Sequence, residues 1–193
     1  MKIFAIAALA TVAMSCDKED IFPTINYYPQ EDPLPGFLST TQFNQEETPY
    51  IDKPAEELGF AFQVAEFGHI SAVIVKIPDT VATGTVRVTI WDKALATPIH
   101  TVEVPVPNAN ESVAFPIGQI EMQKGKDYAI TMRTTDWYNR RRFDISAMPF
   151  PVVSGNIIIT GSGFGPGDGH QMPTNLSRPN YYDGDVSFIY KRF

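Results

Sequence analysis

The run Thr134-Thr135-Asp136-Trp137-Tyr138-Asn139-Arg140-Arg141-Arg142-Phe143-Asp144 holds the side chains best suited to gripping a ligand. Trp137 and Tyr138 are adjacent aromatics and offer a flat apolar plate. Sugar rings expose axial C–H faces that stack on such plates. Asn139, Arg140 and Arg142 stand beside the plate. Amide and guanidinium groups there can hydrogen-bond hydroxyls, and a guanidinium can clamp a carboxylate or sulfate through two parallel bonds. The run follows a strand pattern and precedes a bend at Pro149 and Pro151, so it reads as a loop with side chains free to face solvent. The other reading plugs Trp137 into the core and leaves Arg140–Arg142 solvated or paired with acids of the N-terminal arm.

Other chemistries are weakly signalled. Asp183 and Asp185 form a close carboxylate pair, and period-two alternation puts both on one side of the last strand and its turn. Glycosidases set two acids across a cleft, and nothing in the sequence supplies an opposing partner. Gly161-Ser162-Gly163-Phe164-Gly165-Pro166-Gly167-Asp168-Gly169-His170 is glycine-rich but lacks the Lys-Ser/Thr ending of a phosphate loop. Asp168 could lend an oxygen to calcium, although a mobile surface loop is the simpler expectation. His69, His100 and His170 are scattered without zinc spacing. No G-x-S-x-G elbow occurs. The expectation is a non-catalytic protein without a metal site or cofactor.

Met1-Lys2 is a short basic start, and Ile3 to Met14 is apolar except for Thr11. That run falls well short of the roughly 20 residues of a membrane-spanning helix and reads as a secretory signal, residues 1–15. Ala13-Met14-Ser15-Cys16 resembles a bacterial lipobox, in which the Cys becomes the lipidated first residue. Cys16 is the only cysteine, so it is the expected lipid attachment, and neither an intrachain disulfide nor a catalytic thiol is available. Asp17-Lys18-Glu19-Asp20 resembles the acidic, lysine-containing export signal of Bacteroidetes-type lipoproteins. The expected location is the outer membrane, lipid-anchored and facing the exterior.

Charge divides the remainder. Residues 17–57 carry ten acidic and two basic side chains, whereas residues 58–193 carry twelve of each. A neutral domain gives no electrostatic reason to expect nucleic acid as a partner. Residues 16–57 therefore read as the lipidated Cys followed by an acidic, Pro-rich tether. Its six aromatics (Phe22, Tyr27, Tyr28, Phe37, Phe43, Tyr50) are too many for a bare spacer. Part of the arm, above all its last third, is expected to lie against the domain.

Residues 58–193 must supply the scaffold. The organising stretch is Gly84-Thr85-Val86-Arg87-Val88-Thr89-Ile90-Trp91-Asp92, in which Val86, Val88 and Ile90 alternate with Arg87, Thr89 and Trp91. Similar patterns run through Phe60 to Val64, Ile70 to Ile77, Ile99 to Val104, Val113 to Ile117, Tyr128 to Met132 and Val186 to Tyr190. Ile157-Ile158-Ile159-Thr160 adds a strand buried on both faces. No stretch shows helical spacing over two turns. About eight strands predict an all-β antiparallel β-sandwich, of jelly-roll or immunoglobulin-like type.

Three segments carry a resemblance: Glu57-Leu58-Gly59-Phe60-Ala61-Phe62, Gly84 to Asp92, and Asn180-Tyr181-Tyr182-Asp183-Gly184-Asp185-Val186-Ser187-Phe188. Their order and spacing resemble the bacterial domain-of-unknown-function family four-zero-eight-two. The resemblance spans about residues 55–193. It implies a secreted or surface β-sandwich of the kind found beside sugar-binding modules, and no enzymatic activity. The region 134–183 is longer and more basic than that family's pattern, so its properties are not inherited. Trp91 and Asp92 belong to the pattern and are expected to be structural, as packing under a hairpin and an Asx-turn.

Two function classes follow. One is a cell-surface module that binds glycan by aromatic stacking. The other is a structural or adhesive cell-envelope protein, whose pilin-like version would normally carry an arginine cleavage site that residues 16–86 lack.

Overall fold

The structure is a computed structural model and describes residues 28–79 and 84–193. Cys16 and the acidic tetrapeptide after it lie outside the described residues.

One short helix, α1 (Pro33–Thr41), and one short strand, β1 (Glu46–Tyr50), precede the main body. Then come β2 (Glu56–Val64), β3 (Gly68–Lys76), β4 (Thr85–Asp92), β5 (Thr97–Pro105), β6 (Val113–Met122) and β7 (Tyr128–Thr134). The chain finishes with β8 (Trp137–Arg141), β9 (Val152–Ser154), β10 (Ile157–Pro166), β11 (Tyr181–Asp183) and β12 (Asp185–Arg192). The strands form a six-stranded sheet, β5-β4-β7-β2-β10-β9, and two three-stranded sheets, β12-β3-β6 and β1-β8-β11. All the pairings are antiparallel. The fold is the expected all-β sandwich, with twelve strands among the described residues rather than eight.

The core lies between the six-stranded sheet and β12-β3-β6. Phe62 of β2 meets Phe188 of β12 with ring centroids 4.7 Å apart. Val86, Val88 and Ile90 of β4 are buried in this cluster with Val73, Val75 and Val186. Period two thus places the inward face of β4 where the sequence predicts it. The outward face is also covered. Trp91 is fully buried and donates from Nε1 to Thr131 Oγ1 at 2.7 Å. The His170 ring lies 5.0 Å from the Trp91 ring. Asp92 Oδ1 accepts from the Leu95 N–H at 3.1 Å, three residues on, and so holds the turn after β4.

The arm joins the body much earlier than the sequence suggests. Glu31 exchanges two backbone hydrogen bonds with Tyr190, of 2.8 and 2.9 Å. Asp32 then caps α1 by accepting from the Leu34 N–H at 3.1 Å, and Pro33 supplies a preset φ in the first turn. Gln42 ends the helix in a left-handed conformation. Pro33, Phe37 and Thr41, spaced by four, form its buried stripe. Phe37 stacks on Phe150 at 6.2 Å and meets Tyr182 edge-on at 5.4 Å. Phe43 is likewise fully buried. The packed body therefore begins near Glu31 rather than at residue 58.

The glycine-rich stretch corrects a second expectation. Residues 157–166 are strand β10, paired with β2, rather than a mobile loop. Gly161, Gly163 and Gly165 share one face of that strand because they are spaced by two. A Cβ on Gly161 would collide with the Leu176 carbonyl, and one on Gly163 with the Asn175 carbonyl. The segment that crosses this face is tied down where Arg178 N–H donates to Ser162 O at 2.8 Å. Glycine is needed here for close backbone approach rather than flexibility. Gly163→Ala should lower stability by about 1–3 kcal/mol through overpacking, read as a lower denaturation midpoint. Near-native unfolding would mean that this crossing segment does not rest on β10.

Candidate functional site

Residues 137–141 are strand β8, the centre of the sheet β1-β8-β11. The expectation of a loop is corrected. The run is polar and lacks an apolar alternation, but both of its edges are paired. Tyr50↔Trp137 to Glu46↔Arg141 tie it to β1, and Tyr181↔Arg141 to Asp183↔Asn139 tie it to β11.

Period two then divides the candidate residues between two faces. Tyr138 and Arg140 face inward, beside Tyr182 of the core. Arg140 donates from Nε to Asp185 Oδ1 at 2.6 Å, pairs through Nη2 with Asp185 Oδ2, and pairs through Nη1 with Glu47 at 2.6 Å. Burial opposes its charge, yet the Asp185 and Glu47 carboxylates prevail and hold its pKa above the ordinary guanidinium value. The Tyr138 hydroxyl is bonded to Asn110, and Lys76 sits 4.6 Å above its ring. Burial raises the Tyr138 phenol, aided by the negative charges of Glu47 and Asp185. Arg142 is committed elsewhere, donating to Thr41 O at 2.7 Å and Ser146 Oγ at 2.9 Å. Arg140 and Arg142 are thus structural side chains, and the plate of Trp137 and Tyr138 does not exist as one surface.

Trp137, Asn139 and Arg141 face the other way and line a cleft of about 410 Å³. That volume falls within the range of small-molecule sites, roughly 300–1,000 Å³. Trp137 is only 6% exposed and stacks beneath Tyr50, with ring centroids 5.6 Å apart and planes 13° from parallel. Tyr50 is 38% exposed and presents the ring. Phe164 of β10 and Tyr181 of β11 add aromatic wall. The Arg178 guanidinium lies 4.5 Å from the Phe164 ring centroid and 5.8 Å from that of Tyr181. Arg141 donates twice to Glu46, at 3.0 and 2.7 Å.

Two carboxylates also line the cleft, Glu56 and Asp183. Burial pushes the Asp183 carboxyl above its ordinary value, against the opposing effects of Asn139, Arg178 and Trp137. Burial also raises Glu56, and the charge of Asp183 adds to the shift while Arg178 opposes it. The sequence expectation that Asp183 and Asp185 share a side is overturned. Gly184 between them has φ +82°. This conformation breaks the alternation, so Asp183 meets Asn139 at 2.8 Å on the cleft side while Asp185 meets Arg140 within.

Of the residues singled out as ligand-binding from the sequence, Trp137 and Asn139 line the cleft, together with Tyr50, Glu56, Arg141, Phe164 and Tyr181, which were not singled out. Tyr50 was visible only as one aromatic too many in the arm. Glu56 carried no signal, because its role depends on Asp183 across the cleft. No group of three or more His, Cys, Asp or Glu side chains that could hold a metal occurs among the described residues. Asp168 is exposed, and the carbonyls on either side of it accept from Arg133 and Arg87.

No family model matches this chain. No curated protein matches it either. The resemblance drawn from three segments rests on those segments alone.

The burial of Trp137 gives a direct test. Trp137→Ala should destabilise the protein by about 3–5 kcal/mol, as large core truncations do, measured by chemical denaturation. A loss below roughly 1 kcal/mol, the scale of surface substitutions, would mean that the ring is not packed as described.

Proposed function

We propose that the protein is a lipid-anchored surface module that binds carbohydrate in the cleft beside β8. The observation that carries this reading is the exposed Tyr50 ring, backed by a stacked Trp137 and bordered by hydrogen-bonding side chains. An aromatic face held rigid from behind suits a pyranose ring, since it offers apolar area at little entropic cost. Asn139, Glu56 and Asp183 stand where hydroxyls of a stacked ring would need partners. The lipobox-like sequence before Cys16 supports membrane attachment, and Asp17 to Asp20 supports a site facing the exterior.

A second reading has its own observation. Phe143 and Ile145 are 73% and 51% exposed, and Ile145 borders the cleft. Exposed apolar side chains at the rim of a groove suit a protein partner in a structural or adhesive role.

Tyr50→Ala separates the two. On the carbohydrate reading it weakens oligosaccharide binding by about 1–3 kcal/mol, by analogy with aromatic stacking on bases. Melting should change little, by about 1 kcal/mol, since the ring is part-exposed. Loss of a protein partner with no oligosaccharide bound by the native chain would favour the adhesive reading. For the anchor, Cys16→Ser should abolish lipid labelling and release the protein into soluble fractions. Undiminished labelling would rule out Cys16 as the attachment point.

A further inference from the structure

We infer that the cleft selects neutral, hydroxyl-rich sugars over acidic ones, with Glu56 and Asp183 accepting hydrogen bonds from two hydroxyls of a ring stacked on Tyr50. The inference rests on the carbohydrate reading above and narrows its ligand class. The sequence pointed the opposite way, since three consecutive arginines suit a uronate or a sulfate. The structure redistributes those charges. Arg140 is buried with Asp185 and Glu47, Arg142 is bonded to Thr41 and Ser146, and only Arg141 reaches the cleft. Its Nε and Nη2 are engaged by Glu46. Arg178, the nearest other cation, donates from Nη1 to the Tyr181 hydroxyl at 2.5 Å and lies over two rings.

The acceptors are less engaged. No described residue donates a hydrogen bond to the Glu56 carboxylate, whose shift has only burial and charge as causes. Asp183 takes the Asn139 amide on Oδ1 and a second hydrogen bond from the Trp137 side chain, and a carboxylate has about four lone-pair sites, so acceptor capacity remains. The cleft therefore presents two carboxylates as hydrogen-bond acceptors. A hydroxyl can give a proton to a carboxylate in a charge-assisted bond. A ligand carboxylate or sulfate cannot. It would instead face the two like charges of Glu56 and Asp183, with Arg141 held by Glu46 and Arg178 bonded to the Tyr181 hydroxyl, and such a mismatch counts toward specificity as an attraction does. Discrimination of this kind fits a rigid site, because Asp183 is fixed by β11 and Glu56 by β2.

The test is calorimetric titration of the full chain in a non-glycosidic detergent. The probes are neutral hexasaccharides (cello-, manno-, xylo- and malto-) and acidic ones (oligogalacturonate and heparin-derived). At least one neutral probe should bind, and the acidic probes should bind at least about tenfold more weakly than it. Glu56→Ala and Asp183→Asn should each weaken the neutral ligand roughly tenfold, the scale of one hydrogen bond to a charged group. Thermal melting of both variants checks that they remain folded. Tighter binding of an acidic probe, lost in Tyr50→Ala, would overturn this inference and leave the carbohydrate reading standing. Unchanged affinity in both folded carboxylate variants would also overturn it. Absence of binding by every probe would end both.

Discussion

Arg140 is the point on which the two ends of the chain meet. Its guanidinium is buried, held by two bonds to Asp185 of β12 and by an ion pair to Glu47 of the arm. Removing the charges of Arg140 and Asp185 from water is expensive, and such a buried pair adds little net stability over a hydrophobic replacement of equal volume. Breaking it is another matter, because the partner left behind stays buried and unpaired. The cluster therefore acts as a register lock. With Arg140 turned inward, alternation along β8 sends Trp137, Asn139 and Arg141 outward. A slip of one residue would exchange the two faces and leave buried Asp185 without a cation.

The cleft exists because of that lock. Its walls come from parts of the chain far apart in sequence: the arm (Tyr50), β2 (Glu56), β8 (Trp137), β10 (Phe164) and β11 (Asp183). None of them forms a surface alone. The arm contributes most unexpectedly. Its acids Glu46 and Glu47 neutralise two arginines of β8, and Tyr50 supplies the exposed ring. The acidity of residues 17–57 is thus partly structural. The same economy appears on the outer face of the six-stranded sheet, where buried Glu57 accepts from Thr131 at 2.6 Å and from Arg87 at 2.8 Å.

The main sandwich was legible because seven of its strands carry apolar side chains at period two and an eighth, Ile157-Ile158-Ile159, is a continuous apolar run, and burial follows directly from those patterns. What was not legible is the third sheet. Glu46–Tyr50, Trp137–Arg141 and Tyr181–Asp183 are short and polar, and they are stabilised by pairing and by ion pairs rather than by a hydrophobic face. Local pattern cannot report partners ninety residues apart. Helix α1 is different: Asp32-Pro33 is a readable start signal, but its buried stripe is only Pro33, Phe37 and Thr41. Of the candidate site, Trp137 and Asn139 line the cleft for a reason other than the one expected. They line a site because β8 is a strand, not because the region is a loop. The reading with Trp137 packed and Arg140 and Arg141 paired with acids of the arm describes their positions.

The chain has two tryptophans, and the structure places them in opposite circumstances. Trp137 backs the cleft, whereas Trp91 is sealed against His170 and Thr131 on the outer face of the large sheet. Their indole N–H groups should give two signals in a nitrogen–proton correlation spectrum, assignable with Trp91→Phe. Titration with the neutral hexasaccharides should move the Trp137 signal saturably and leave the Trp91 signal in place. Movement of the Trp91 signal alone, or of neither under conditions where calorimetry detects binding, would contradict the assignment of the cleft as the binding site.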